Sequence, residues 1–203
     1  MQSIEDKIYA SIRLKGRGGA FTNKDYMSMG NRGSVDMALT SLLKAGKIRR
    51  VGKGLYDYPR TNKELGGAMN PDIHKVVYAL ARKLGLKVQP DGAWAANMLG
   101  LSNQVPAKII YLTDGRSKNI RIGGTDVRLK KVSPGKLCPG SEKSVHITCA
   151  LRYLGRDGVD SEVIGRLREI LPEKDIRRLV KDASYQETWI ADAAKKLRKE
   201  IPR

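Results

Sequence analysis

The chain has 203 residues, with 39 Lys+Arg against 21 Asp+Glu, a formal net charge of +18 and a sequence pI near 10.0. A balance this basic creates a positive field that attracts polyanions, which points to nucleic acid ahead of a surface merely solubilised by lysine. No run of about 18 apolar residues occurs, and no basic start leads into an apolar core, so neither a membrane span nor a secretory leader is expected.

Ser3 followed by Asp6 resembles a capping box, and Ile4, Ile8 and Ile12 fall at i, i+4 and i+8 on one face of a first helix. Gly16, Gly18 and Gly19 end it. Thr22 is placed to cap a short second helix over residues 23–29. Gly30-Asn31-Arg32-Gly33 makes a turn, and Ser34 is expected to cap a third helix over residues 35–44. There Val35, Ala38, Leu39, Leu42 and Leu43 form an apolar stripe, Asp36, Met37, Thr40, Ser41 and Lys44 lie off it, and Gly46 stops the helix. Two β-like runs follow, 48–51 and 55–58, joined by Gly52-Lys53-Gly54, a tip narrow enough to approach phosphate or a minor groove.

That order of helices, turn, amphipathic helix and basic hairpin predicts a winged helix-turn-helix over residues 1–60. In such a domain the third helix lies in the major groove of DNA. Asn31, Arg32, Ser34, Met37 and Ser41, with Lys44, are the expected helix contacts; Arg49, Arg50 and Lys53 would meet backbone or minor groove. The competing reading is a module for protein or RNA contact without a transcriptional role. Asp36 on the outer face would repel phosphate, although Arg32 and Lys44 could offset it.

Residues 61–71 read as a linker, with Gly66-Gly67, few large apolar groups and Pro71 at the far side. Residues 72–203 read as a mixed α/β domain ending in helices. A helix is expected over 72–84, an extended run over 87–90, a short helix over 91–99 and strands over 109–112, 119–122 and 126–132. Gly123-Gly124 joins the last two. Helical patterns follow over 146–154, 161–171, 173–183 and 187–199, with Pro172 breaking the second from the third. The fold class is therefore α+β.

Lys118, Arg121, Arg128 and Lys130 make a possible second basic surface, the last two on one strand face. It could contact flanking DNA or an acidic protein or RNA surface, or be a solvated face. Net charge is +7 over residues 1–60, +8 over 61–150 and +3 over 151–203, so the basic surface belongs mostly to the first three quarters. Cys138 and Cys149 form no Cys-x-x-Cys, and only His74 and His146 could join them. That usage argues for a reducing compartment and against a zinc site or disulfide framework. Trp94, Met98 and Leu101 suit a core better than a ligand stack.

The runs Gln89-Pro90-Asp91-Gly92-Ala93-Trp94-Ala95-Ala96-Asn97, Leu99-Gly100-Leu101-Ser102-Asn103-Gln104-Val105-Pro106 and Tyr111-Leu112-Thr113-Asp114-Gly115 resemble the AbiEi-like antitoxins. They are most similar to a branch often catalogued only as a conserved bacterial family of unknown function. Arg49-Arg50-Val51-Gly52-Lys53-Gly54-Leu55-Tyr56 looks like that family's wing, and Ala150-Leu151-Arg152-Tyr153-Leu154-Gly155 fits too, so the likeness covers about residues 1–160. It implies the antitoxin of a type IV toxin–antitoxin pair, a phage-defence system. Such a protein represses its own operon through the N-terminal domain and counteracts a nucleotidyltransferase-like toxin through the C-terminal one. No motif fixes the toxin-opposing residues, so none is carried over.

Enzyme readings find little support. There is no Gly-x-x-x-x-Gly-Lys-[Ser/Thr] loop, Gly-x-Ser-x-Gly elbow or His-Glu-x-x-His. Asp114, Asp126 and Lys130 lack the short acid-x-lysine pairing of a metal-dependent nuclease. The expectation is a cytoplasmic, nucleoid-associated protein with no cofactor, no metal and no catalytic residue. Its partners would be double-stranded operator DNA and, directly or indirectly, a cognate toxin.

Overall fold

A computed structural model of the chain describes residues 2–62, 64 and 66–199. It is a mixed α+β protein that divides into two compact units, Met1–Leu86 with Ile120–Asp126, and Lys87–Asn119 with Val127–Arg203. Among the described residues no helix is long and apolar enough to cross a membrane.

The first unit begins with α1 (Ile4–Lys15), where the Ser3 hydroxyl accepts from Asp6 N–H and the Asp6 carboxylate accepts from Ser3 N–H, the reciprocal box expected. Ile8 and Ile12 are buried. Strand β1 (Ala20–Phe21) follows, then a single 3-10 turn (Asn23–Tyr26) rather than a seven-residue helix. Helix α2 (Arg32–Lys44) begins earlier than expected because Asn31, not Ser34, is its cap: the Asn31 side chain accepts from Ser34 N–H at 2.9 Å. Strands β2 (Arg49–Gly52) and β3 (Leu55–Asp57) pair antiparallel across a two-residue turn, with an irregularity between Arg50 and Gly52. Together with β1 they form a three-stranded sheet in the order β1-β3-β2.

The core of this unit joins Ile8, Ile12, Phe21, Tyr26, Val35, Ala38, Leu39, Leu42 and Ile48. The stripe read from α2 is therefore the face that packs inward, with Leu43 at its margin. Part of the expected linker forms a small ribbon of β4 (Thr61–Asn62) and β5 (Gly67–Ala68); Lys63 and Leu65 lie outside the described residues. Helix α3 (Ile73–Leu84), capped by Asp72, packs on β1 and β3 and so belongs with the first unit, on the far side of the expected 61–71 boundary.

In the second unit, β6 (Val88–Pro90) leads into α4 (Gly92–Met98), capped by Asp91. Strands β7 (Ile109–Thr113), β8 (Lys118–Ile122) and β9 (Thr125–Lys131) join β6 in a sheet of order β6-β7-β9-β8, with β7 and β9 parallel. The tip of the β8–β9 hairpin, Ile120–Asp126, groups with the first unit. Trp94 is half-buried and donates from Nε1 to the Tyr111 hydroxyl at 3.1 Å, an architectural role. Helix α5 (Glu142–Leu154) precedes α6 (Ser161–Ile170), α7 (Glu173–Ala183) and α8 (Thr188–Lys199). Ile147, Leu151, Ile164, Leu167, Ile176, Leu179, Ile190 and Leu197 pack these four helices together.

Candidate nucleic-acid interface

Helix α2 buries Val35, Ala38, Leu39 and Leu42, and 3.6-residue periodicity leaves Arg32, Met37, Thr40 and Lys44 exposed on its other side. Met37 is 75% exposed, one of several large apolar side chains at the surface of the chain. Asp36, Met37, Thr40, Ser41 and Lys44 line a shallow depression along this face. The acid at its centre is compensated: Asp36 accepts from Asn23 Nδ2 at 2.8 Å and lies 3.7 Å from Arg32 Nε. Asn31 caps the helix through Oδ1, and Ser34 supplies the backbone N–H that the cap receives.

Antiparallel register puts Arg49 opposite Asp57 and Arg50 opposite Tyr56, so the two arginines point to opposite faces. Arg49 binds Asp57 through two bonds, Nε to Oδ1 at 3.0 Å and Nη2 to Oδ2 at 2.6 Å. Those bonds hold the Arg49 pKa above its ordinary value, against the opposing effect of burial. Asp57 is buried, so this pair braces the hairpin, and the Arg49 side chain, 31% exposed, is engaged there rather than free in solvent. Arg50 and Lys53 are exposed, and Arg50 Nε reaches Gly52 O at 3.3 Å. Gly54 has φ +64°, the left-handed conformation that the tight turn needs.

Further basic residues of the same unit gather at this hairpin. Lys83, near the C-terminus of α3, lies with Nζ 3.4 Å from Gly54 O. Gly123 N–H donates to Val51 O at 3.4 Å, and the Arg121 carbonyl lies beside Gly52. The Arg121 side chain is 74% exposed, 3.9 Å from Asp126. The sequence pattern groups Arg121 with a separate surface and does not single out Lys83, of which the basic last turn of α3 is the local sign.

The remainder of that second surface belongs to the other unit. On β9, Val127 and Leu129 are buried while Arg128 and Lys130 are exposed, the alternation expected of a strand with one covered face. Lys118 is exposed on β8. Lys130 also borders a shallow depression with Asp114, Lys131 and Lys136. Among the described residues no three His, Cys, Asp or Glu side chains converge to hold a metal ion.

A family model described as a family of unknown function (DUF6088) matches residues 7–179, from α1 into α7. No curated protein matches the chain.

Proposed function

We propose that this chain, which belongs to the family of unknown function DUF6088, binds double-stranded DNA through a winged helix-turn-helix formed by its N-terminal segment. The observation that carries the reading is the outward face of α2: its apolar stripe is spent on the core, and Arg32, Met37, Thr40 and Lys44 face solvent. A 13-residue helix is about 20 Å long and fits a major groove about 12 Å wide. The β2–β3 hairpin supplies Arg50 and Lys53 as the wing, with Lys83 and Arg121 beside it. Backbone contacts from these cations give affinity, and the α2 face gives sequence choice.

The resemblance to AbiEi-like antitoxins supports a more specific role. In that role the protein represses its own toxin–antitoxin operon and counteracts a nucleotidyltransferase-like toxin. The experiment is a gel shift with the region upstream of its own gene. Retention of that fragment against an excess of random DNA supports repression, and equal affinity for both removes it. A nucleotidyltransferase-like gene next door whose growth arrest this protein relieves tests the antitoxin role separately.

One observation favours a second reading. Met37 lies exposed beside Asp36 in the α2 depression, an apolar and acidic pairing better suited to a protein surface than to phosphate. Failure to retain any duplex, together with a stable complex dependent on Met37, would place the protein among interaction modules instead.

A further inference from the structure

Cys138 sits just before α5 and Cys149 lies within it, and their Sγ atoms are 3.9 Å apart. Both are among the buried residues of a small core with Ala95, Ala96, Val145 and Ala150. Cys138 is held on three sides. Its N–H donates to Gln89 Oε1 at 2.7 Å, and the Cys149 thiol is its sulfur neighbour. Arg152, one turn after Cys149, donates from Nη1 to Cys138 Sγ at 2.9 Å. Arg152 is itself fixed by Glu187, with Nε to Oε1 and Nη2 to Oε2 both at 2.8 Å, and by Gln186 Oε1 at 2.8 Å.

A guanidinium aimed at a sulfur stabilises thiolate over thiol, and thiolate is the nucleophilic form. The hydrogen bond from Cys149 draws the Cys138 pKa down to about 7; burial opposes this and the Arg152 charge reinforces it. Cys149 is pushed the other way, first by donating to Cys138 and then by burial. The geometry is thus asymmetric, with one sulfur prepared to attack and a second, still carrying its proton, alongside. A structural core cysteine needs neither the arginine nor the neighbour.

We propose that Cys138 and Cys149 are a peroxide-oxidised modification site that closes reversibly to an intramolecular disulfide. The Cys138 thiolate attacks one oxygen of hydrogen peroxide; an S–O bond forms, the O–O bond breaks, and hydroxide leaves to take a proton from solvent. Cys138 is then a sulfenic acid. The Cys149 sulfur attacks it, the S–S bond forms, the S–O bond breaks, and the Cys149 proton departs with the hydroxyl as water. Two thiols and one peroxide give one disulfide and two waters. Arg152 positions Cys138 and favours its thiolate, and its own side chain is partly exposed.

The test uses the full-length chain, reduced and then treated with hydrogen peroxide near pH 7, alkylated and digested. The expected result is a peptide pair linked through Cys138 and Cys149, lighter by two hydrogens and released by dithiothreitol. In Cys149→Ser the reaction should stop at a dimedone-reactive sulfenic acid on Cys138. Arg152→Gln should slow the loss of thiols about 10-fold, the scale expected when a thiolate loses its cation. Because the linked peptide is read in the unaltered protein, a variant that fails to fold leaves the proposal testable. Alkylation of Cys138 in the unaltered chain should rise with a midpoint near pH 7, set by Cys149, Arg152, Glu187 and, through Cys149, Asp91. An unlinked pair, overoxidation of Cys138 with Cys149 intact, or oxidation no faster than in the urea-unfolded chain would each overturn it.

Discussion

Arg49 and Arg50 stand next to each other on β2, yet strand alternation turns one toward a buried carboxylate and the other toward solvent. The sequence pattern gives them one role, because Asp57 is eight positions away and only the hairpin register brings it opposite Arg49. Their substitutions should therefore behave differently. Arg49→Ala leaves Asp57 buried without its partner and should lower stability by about 2 kcal/mol, while Arg50→Ala should stay within about 0.5 kcal/mol. Urea denaturation of both variants checks this, and equal midpoints would show that the brace carries no stability. Tyr26 poses the opposite case. It is fully buried against Phe21, and its hydroxyl meets no hydrogen-bonding partner among the described residues. Tyr26→Phe removes that unsatisfied group and keeps the ring, so the melting temperature should rise, by about 1 kcal/mol of stability. A lower melting temperature would mean that the hydroxyl is satisfied, by a buried water for instance.

At the scale of elements, helices with a cap and an apolar stripe were legible. The periodicity over 173–183 marks both ends of α7, and Ser3 and Asp6 announce α1. Helix α5 begins four residues before the helical pattern at 146–154, because it is buried on every side from Ser144 to Leu151 and so has no stripe for periodicity to find. Strand β1 is two residues long beside glycines, too short for any alternation to register. Its existence depends on pairing with β3, a contact that is remote in sequence. Helix α3 was visible, but its packing against β1 and β3 was not, since a glycine-rich stretch before it reads locally as a boundary.

The start of α5 is tied to α7 by Asp182, which accepts from Ser141 N–H at 2.8 Å and from Arg178 Nε at 3.1 Å. Burial raises its pKa, but Ser141, Ser144 and Arg178 outweigh that and hold it below the ordinary carboxylate value. A folded-state pKa below the unfolded one contributes stability that is complete above the unfolded value. That stability is lost as pH falls through the lowered one. The stability of the native chain should thus weaken on acidification through and below the usual carboxylate range. Asp182→Asn should be less stable at neutral pH and show a shallower acid limb. Parallel acid limbs in the two proteins would remove Asp182 from the linkage.

For the molecule as a whole, a net charge of +18 was visible at once, but its division between internal braces and available cations was not. Arg49 is committed to Asp57 and Arg82 to Asp25, whereas Arg50 and Lys53 stand exposed on the proposed wing. If that wing contacts phosphate, replacing Arg50 and Lys53 together by alanine should weaken duplex binding several-fold. It should also reduce the log–log salt slope by about 2, close to one counterion per lost contact. Binding isotherms at several ionic strengths measure this, and an unchanged slope would remove the hairpin from the interface. Arg32→Ala should instead alter sequence choice more than overall affinity.

The N-terminal unit is not contiguous: it includes Ile120–Asp126, whose Gly123 closes on Val51. A ribosome delivers the chain in order, so the unit lacks a piece until residue 126 has cleared the exit tunnel, long after α2 and the hairpin have emerged. A fragment cut at residue 60 or 86 would have the same gap permanently, with the main chain of β2 left open at Val51. Nascent-chain stalling on either side of residue 126 should mark the step at which this unit first resists protease.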